Sequence, residues 1–179
     1  MRPIRPNRPI RVVEYDPRWP SFFQAARDEL LSLAPGLILT VEHIGSTAVP
    51  GLAAKPKIDL DAVLIDAEAV ATLADKLALS GFRAHGDPHG DGRLPFTREH
   101  EDYGLRLYLC LEANPAHHDR LLFRDHLRLH PDRAAEYQTL KQRLAEEAAG
   151  DWDHYTGGKS AFVAETLRRA EAERSASRG

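Results

Sequence analysis

Residues 41–64 read VEHIGSTAVPGLAAKPKIDLDAVL, and the order of residue types in this stretch decides the fold class. An apolar run from Leu37 to Ile44 ends in Gly45-Ser46-Thr47. Pro50 and Pro56 then break the chain, with Lys55 and Lys57 flanking the second proline. A second apolar run, Lys57 to Ile65, carries Asp59 and Asp61 two positions apart. Short apolar runs bounded by Gly and Pro mark strands. Side chains alternate along a strand, which puts Asp59 and Asp61 on one face about 7 Å apart. Two carboxylates so placed can converge on Mg²⁺, which prefers hard oxygen ligands and completes its shell with waters and substrate phosphates. Gly45-Ser46-Thr47 adds the backbone N–H groups and hydroxyls of an anion-binding turn. Metal, turn and nearby lysine would together hold a nucleoside triphosphate for in-line attack, the metal neutralising the charge that develops.

Outward from this stretch the chain alternates strand and helix patterns. Ile10 to Tyr15 reads as a short strand, and Asp16-Pro17 as the N-cap and first position of a helix. Trp19, Phe22, Phe23, Ala26, Leu30 and Leu33 recur at helical spacing, a core stripe that ends at Pro35-Gly36. Asp66 to Leu79 is an amphipathic helix closed by Gly81. HGDPHGDGR, residues 85–93, is a loop. His85 and His89 have the spacing of zinc ligands, but Gly86, Pro88 and Gly90 forbid the helix that would aim both rings. Leu94 to Arg98 and Tyr103 to Glu112 read as strands. In the second, Leu105, Leu107, Leu109 and Leu111 alternate with Arg106, Tyr108, Cys110 and Glu112. From Pro115 onward the pattern is helical in three pieces, broken near His130-Pro131 and near Gly150 to Gly158. The organisation expected is a flexible arm over 1–9, one domain over 10–172 and a frayed end over 173–179. In the arm, Arg2, Arg5, Arg8 and Arg11 alternate with prolines at a three-residue spacing. That spacing would align the arginines on one edge of a polyproline helix.

Composition narrows the classes of function. A chain of 179 residues with 42% hydrophobic and 28% charged residues is an ordinary globular domain, long enough to bury roughly 70% of its unfolded surface. No apolar run approaches the roughly 20 residues of a bilayer span, and MRPIRPNRPI lacks the apolar core of a secretory signal. A cytoplasmic protein without a membrane partner is expected. Cys110 is the only cysteine, which excludes an internal disulfide and a cysteine-based zinc cluster. The net charge of −3 argues against nucleic acid as partner, since such binders carry a basic footprint. Of 24 basic residues only Lys55, Lys57, Lys76, Lys141 and Lys159 are lysine, so some of these positions could need a compact point charge.

HIGSTAVPGLAAKPKIDLDAVL resembles the signature of the GrpB family, a branch of the nucleotidyltransferase superfamily. FRDHLR at Phe123 to Arg128, the Tyr137 and Lys141 pair, and HYTGGKSAF at His154 to Phe162 extend the resemblance over about residues 12–170. It implies an α/β fold of nucleotidyltransferase type: a mixed β-sheet with packed helices and a C-terminal helical part. It implies that Gly45 and Ser46 hold triphosphate and that Asp59 and Asp61 bind Mg²⁺ and act in catalysis. Thr47, Lys55, Lys57, Tyr108, Arg124, Lys141 and Lys159 join them as candidate nucleotide or phosphate contacts. Relatives place a histidine where this chain has Tyr108, so Tyr108 is expected on the face shared with Asp59 and Asp61. No third carboxylate falls in a diagnostic motif; Glu101, Asp102 and Glu112 are the nearby acids. The function implied is Mg²⁺-dependent binding of a nucleoside triphosphate, with transfer of its nucleotidyl group to an unknown small acceptor. The alternative is a nucleotide- or phosphoester-binding module without turnover that supports a partner enzyme. A third reading leaves a structural adaptor with a vestigial site.

Plain structural roles stand beside these assignments. Tyr137 with Lys141, and Tyr155 with Lys159, each put a ring and an ammonium on one helix face, which a packed tyrosine and a snorkelling lysine also explain. Arg124 beside Asp125 is equally readable as an internal ion pair. His117 and His118 open a helix and read as surface. Gly158-Lys159-Ser160 imitates the end of a P-loop, but Asp153 stands where that motif needs glycine and no strand precedes it. Cys110 sits mid-strand with no evident base, which excludes a cysteine nucleophile.

Overall fold

The computed structural model describes residues 9–88 and 90–177. The arginine–proline arm up to Arg8, and with it the aligned edge, lies outside the described residues, as does His89 of the histidine pair. Five strands form one mixed sheet: β1 (Ile38–Ile44), β2 (Lys57–Leu64), β3 (Arg83–Ala84), β4 (Leu94–Glu99) and β5 (Gly104–Leu111), in the order β1-β2-β5-β4-β3. β2 and β5 are parallel neighbours at the centre, and the other pairs are antiparallel. Among the described residues there are six helices: α1 (Trp19–Leu33), α2 (Ala67–Leu79), α3 (Pro115–Leu129), α4 (Pro131–Ala148), α5 (Trp152–Gly157) and α6 (Ser160–Ala176). A 3₁₀ turn, Ser46–Ala48, follows β1.

The alternation of β2 and β5 sorts their residues between two layers. Ile58, Leu60, Ala62 and Leu64 join Leu105, Leu107 and Leu109 in the main core, against Trp19, Ala26 and Leu30 of α1 and Leu73 and Leu77 of α2. Burial of each leucine or isoleucine among them contributes about 1.5–3 kcal/mol, so this layer fixes the register of the whole sheet. The opposite face carries Asp59 and Asp61 in register with Arg106 and Tyr108. That face is covered by the C-terminal helices, where Val49 and Leu52 meet Leu127 and Tyr137.

Local chemistry sets the helix ends. Asp66 accepts from the Ala69 N–H at 2.8 Å and starts α2. Asn114 accepts from the N–H groups of Ala116 and His117 and starts α3, with Pro115 in the position where its missing N–H costs least. Asp16 instead caps a turn, accepting from the Arg18 N–H at 2.8 Å, and α1 begins at Trp19.

Other boundaries also differ from the sequence reading: α5 lies inside the break expected near Gly150 to Gly158, so four helices follow Asn114 among the described residues where three were expected. Ile10 to Tyr15 is not a strand; it makes one bridge, Val13 with Ala54. Its apolar residues serve two separate clusters, Ile10 and Val12 with α4 and α5, Val13 and Tyr15 with the main core. α6 extends to Ala176.

Candidate functional site

Gly45 closes β1 with φ of 73°, a conformation that side chains resist. A Cβ built there would lie 2.8 Å from Asp59 Oδ2, so only glycine lets this turn lie against the carboxylate. The following 3₁₀ turn is held by Ala48 N–H to Gly45 O and Val49 N–H to Ser46 O, both 3.2 Å. The Tyr137 hydroxyl hydrogen-bonds Ser46, and burial pushes its pKa up. Gly45, Ser46, Asp59, Arg106, Tyr108, Asp119, Arg120, Phe123 and Tyr137 line a cleft, with Val163 and Leu167 of α6 on its far wall. Its volume is about 270 Å³. That is at the lower edge of small-molecule sites, roughly 300–1,000 Å³.

Asp59 is half-buried in a ring of cations. Lys55, Lys57, Arg106 and Lys159 all feel its charge. Among the described residues, none of them forms an ion pair with it within 4 Å. Four cations held around one carboxylate without closing on it leave a slot whose field favours an anion. The lysines are held there against their own preference. Burial first, then the charge of Lys159, brings Lys55 down to about 7, although Asp59 pulls the other way. Burial also lowers Lys57 and Lys159. Lys55 Nζ lies 4.5 Å from the Trp152 ring centroid and 4.9 Å from that of Tyr155. Lys159 Nζ lies 4.4 Å from Tyr155. The two ammonium groups thus share one aromatic platform, an arrangement that holds a cation without neutralising it.

Asp61 differs from its neighbour on the strand. It has no exposed surface, and both carboxylate oxygens have partners. Arg120 Nη1 donates to Oδ1 at 2.8 Å, and His117 Nδ1 donates to Oδ2 at 2.9 Å. The Arg120 guanidinium also lies over the Tyr108 ring, 3.7 Å from its centroid. Mg²⁺ bound through one carboxylate and substrate phosphates fits Asp59. A second bond from Asp61 does not fit this arrangement, since Arg120 and His117 already hold its oxygens.

The structure brings Gly45, Ser46, Asp59 and Tyr108 together at the cleft, with Lys55, Lys57 and Lys159 around Asp59. Tyr108 shares the face of Asp59 and Asp61, as the resemblance implies. Three other candidates are committed elsewhere. The Thr47 hydroxyl is buried, 2.9 Å from His43 Nε2 and 3.3 Å from Lys57 O. Arg124 gives Nη1 to Glu42 Oε2 at 2.8 Å and to His43 O at 3.0 Å, and Nε to Asp125, tying α3 to β1. Lys141 is buried and donates to Ala53 O, and burial brings its pKa down to about 7. His117 is not a surface residue: it is 4% exposed. Sequence reasoning missed His117, Arg120, Arg106 and Asp119. His117, Arg120, Arg124 and Leu127 recur at helical spacing, a polar stripe continuing an apolar one, and that signal was available. Asp119 supplies the cleft with a carboxylate from a helix, outside any strand motif. Cys110 is fully buried and its thiol is pushed up to about 12, chiefly by burial, which fits its exclusion as a nucleophile.

Fold and site define an α/β protein with a mixed five-stranded sheet and an acidic strand pair set among cations beneath a helical layer. Within that class the chain belongs to the GrpB family, whose sequence profile, described as GrpB protein, matches residues 9–169. The crystal structure of conserved protein GrpB from Enterococcus faecalis superposes with a TM-score of 0.84 at 31% identity, covering 92% of this chain and 99% of that one. UPF0157 protein YqkA of Bacillus subtilis is 31% identical over 160 residues, and 89% of this chain spans 47% of YqkA, about half its length. A protein named dephospho-CoA kinase from Mycolicibacterium paratuberculosis is 29% identical over 187 residues, which cover 90% of this chain and 46% of that protein. The RNA terminal uridylyl transferase Cid1 overlaps 68% of this chain at a TM-score of 0.47 and 17% identity. No helix among the described residues is long and apolar enough to cross a membrane.

Proposed function

We propose that the cleft binds the polyphosphate of a nucleoside triphosphate, with Mg²⁺ joining it at Asp59. The observation that carries this reading is the open ring of Lys55, Lys57, Arg106 and Lys159 around a carboxylate that none of them pairs with closely. Anionic oxygens entering the slot gain charge-assisted hydrogen bonds from half-buried donors, about 1.5–3 kcal/mol each. Asp59 would hold Mg²⁺ by its carboxylate, and the ion would supply positive charge beside the phosphates. The Gly45-Ser46 turn lies against Asp59 and offers its backbone to the same ligand.

Transfer of the nucleotidyl group to a small acceptor is the further step. It would require a second carboxylate at the metal. Asp61 must release Arg120 and His117 to serve, or Asp119 must reach in from α3. The pairing of Asp61 therefore favours binding without turnover as the resting state. The matching segment within a dephospho-CoA kinase favours the same reading, a nucleotide-binding module working beside a partner enzyme.

Calorimetric titration with each nucleoside triphosphate, with and without Mg²⁺, tests the proposal. Binding that strengthens with Mg²⁺ and loses that dependence in Asp59→Asn is the expected result. Affinity indifferent to Mg²⁺ and to Asp59→Asn removes the metal, and no binding of any triphosphate removes the function. Pyrophosphate release in the presence of a metabolite extract separates transfer from binding.

A further inference from the structure

We propose a second ligand site, distinct from the cleft: a zinc site formed by His126, His130 and Glu173. His126 lies in the last turn of α3, His130 joins α3 to α4, and Glu173 comes from α6. The turn continues through both histidines, His130 N–H donating to His126 O at 2.9 Å, so their rings share one face with centroids 4.1 Å apart. Both rings direct a nitrogen at the same carboxylate oxygen. His130 Nε2 is 3.0 Å from Glu173 Oε2, and His126 Nδ1 is 3.4 Å from it. All three atoms lie within 4.8 Å of one another. A tetrahedral zinc ion, with bonds of roughly 2.0–2.2 Å, sets its ligand atoms about 3.4 Å apart. The His126–Glu173 separation of 3.4 Å thus already matches the demand of the ion, and the His130–Glu173 separation of 3.0 Å needs only a small opening to reach it.

The chemistry of the set selects the metal. Two imidazoles and one carboxylate suit Zn²⁺ and its neighbours in the first transition row, and are wrong for Mg²⁺, which demands oxygen. Zinc needs unprotonated imidazole, and so its binding competes with protons at both histidines. Arg133 and Arg169 face His126 as well, but each is paired, with Glu136 at 2.6 Å and Glu165 at 2.8 Å, which offsets their repulsion of a dication. His126 is buried, while the side chains of His130 and Glu173 are 35% and 53% exposed. The ion therefore has a path in from solvent, and a fourth position for water.

The site would fasten α6 to the α3–α4 junction. Val163 and Leu167 of α6 form one wall of the cleft, and Arg120 and Phe123 of α3 form another. Zinc would hold those walls together from about one to three helical turns away, at 3.6 residues per turn.

The test uses the untagged full chain, stripped with chelator and titrated with zinc against a chromophoric competitor. One zinc per chain is expected, unaffected by millimolar Mg²⁺. Affinity should fall about 100-fold in His126→Ala and at least about 10-fold in His130→Gln and Glu173→Gln, on the scale of lost metal contacts. Cobalt should give the visible absorption of a tetrahedral site in the unmodified chain, and lose it in those variants. Circular dichroism of the metal-free forms checks folding. If His126→Ala misfolds, the exposed pair His130→Gln and Glu173→Gln decides the matter. Failure to bind zinc stoichiometrically, or unchanged affinity in the folded variants, overturns the proposal. So does loss of zinc in His117→Gln with retention in Glu173→Gln, which would move the ion to the buried Asp61–Cys110–His117 group.

Discussion

Asp59 and Asp61 are separated by one residue and share a strand face, yet their surroundings assign them opposite work. Asp59 is left open among cations that do not close on it, whereas Asp61 is sealed and fully hydrogen-bonded. A buried carboxylate with a guanidinium is costly to break from one side, since the survivor keeps its charge without a partner. Arg120→Met should therefore destabilise the protein by about 3 kcal/mol in urea denaturation, the low end for a buried pair because His117 remains with Asp61. The double variant Asp61→Leu/Arg120→Met should recover much of that loss. Additive losses would mean that the pair carries no coupling. Lys55 makes a second claim at this scale. With a pKa of about 7 it is mostly neutral at pH 8, and a bound polyphosphate favours its charged form. Triphosphate binding at pH 8 should take up a proton, and affinity should weaken as pH rises from 6.5 to 8.5. Titrations in buffers of different ionisation enthalpy read the proton directly. Lys55→Arg, charged throughout, should abolish the uptake; persistence of it would assign the proton to another group.

Among the elements, the turn after β1 and the central strand β2 do most to build the site, and they were also the most legible in the sequence. Glycine between an apolar run and two hydroxyl residues, followed by a strand with acids at one parity, could be read without any partner in view. Gly45→Ala is the corresponding prediction. It strains a backbone at φ of 73° and drives a methyl group to within 2.8 Å of Asp59 Oδ2. Strain of that kind costs of order 1–3 kcal/mol. A fall in melting temperature together with loss of triphosphate binding is expected; a variant with unchanged stability and binding would show that the turn has room to move. The C-terminal helices were legible as helices and not as a site. Helical spacing reports which residues share a face, but not what that face meets. His117 and Arg120 became partners of Asp61 only through the docking of α3 on the sheet, a contact between residues 56 and 59 positions apart in the chain. Arg106 likewise reaches Asp59 through the parallel pairing of β2 with β5. Lys141 was misplaced for the same reason: its spacing from Tyr137 is correct for a helix face, and that face turned inward to Ala53.

For the whole molecule, these burial choices combine into one measurable curve. Lys55 and Lys141 fall to about 7, and Lys57 and Lys159 are lowered too, chiefly by burial. Above pH 7 the folded chain releases protons that the unfolded chain keeps until the ordinary lysine value of 10.5. Stability therefore rises with pH across that window, by at most about 1.4 kcal/mol per pH unit for each lysine. A second set of groups reverses the trend. Burial pushes the Cys110 thiol up from 9.0 and the Tyr137 and Tyr155 phenols up from 10.0. Beyond those values the unfolded chain ionises first, and stability declines. Thermal denaturation of the ligand-free protein should accordingly peak near pH 10, above the range usual for globular proteins. Lys55→Met should flatten the rising limb. A saturating polyphosphate should flatten it as well, because the ligand keeps Lys55 charged in the folded state and returns its pKa toward the unfolded value. The ligand's stabilisation should then be largest near pH 7 and shrink toward pH 9. A melting temperature that peaks between pH 5 and 7, or a ligand effect that grows with pH, would mean that the cationic ring is charged at no cost and does not bind polyphosphate in the manner proposed.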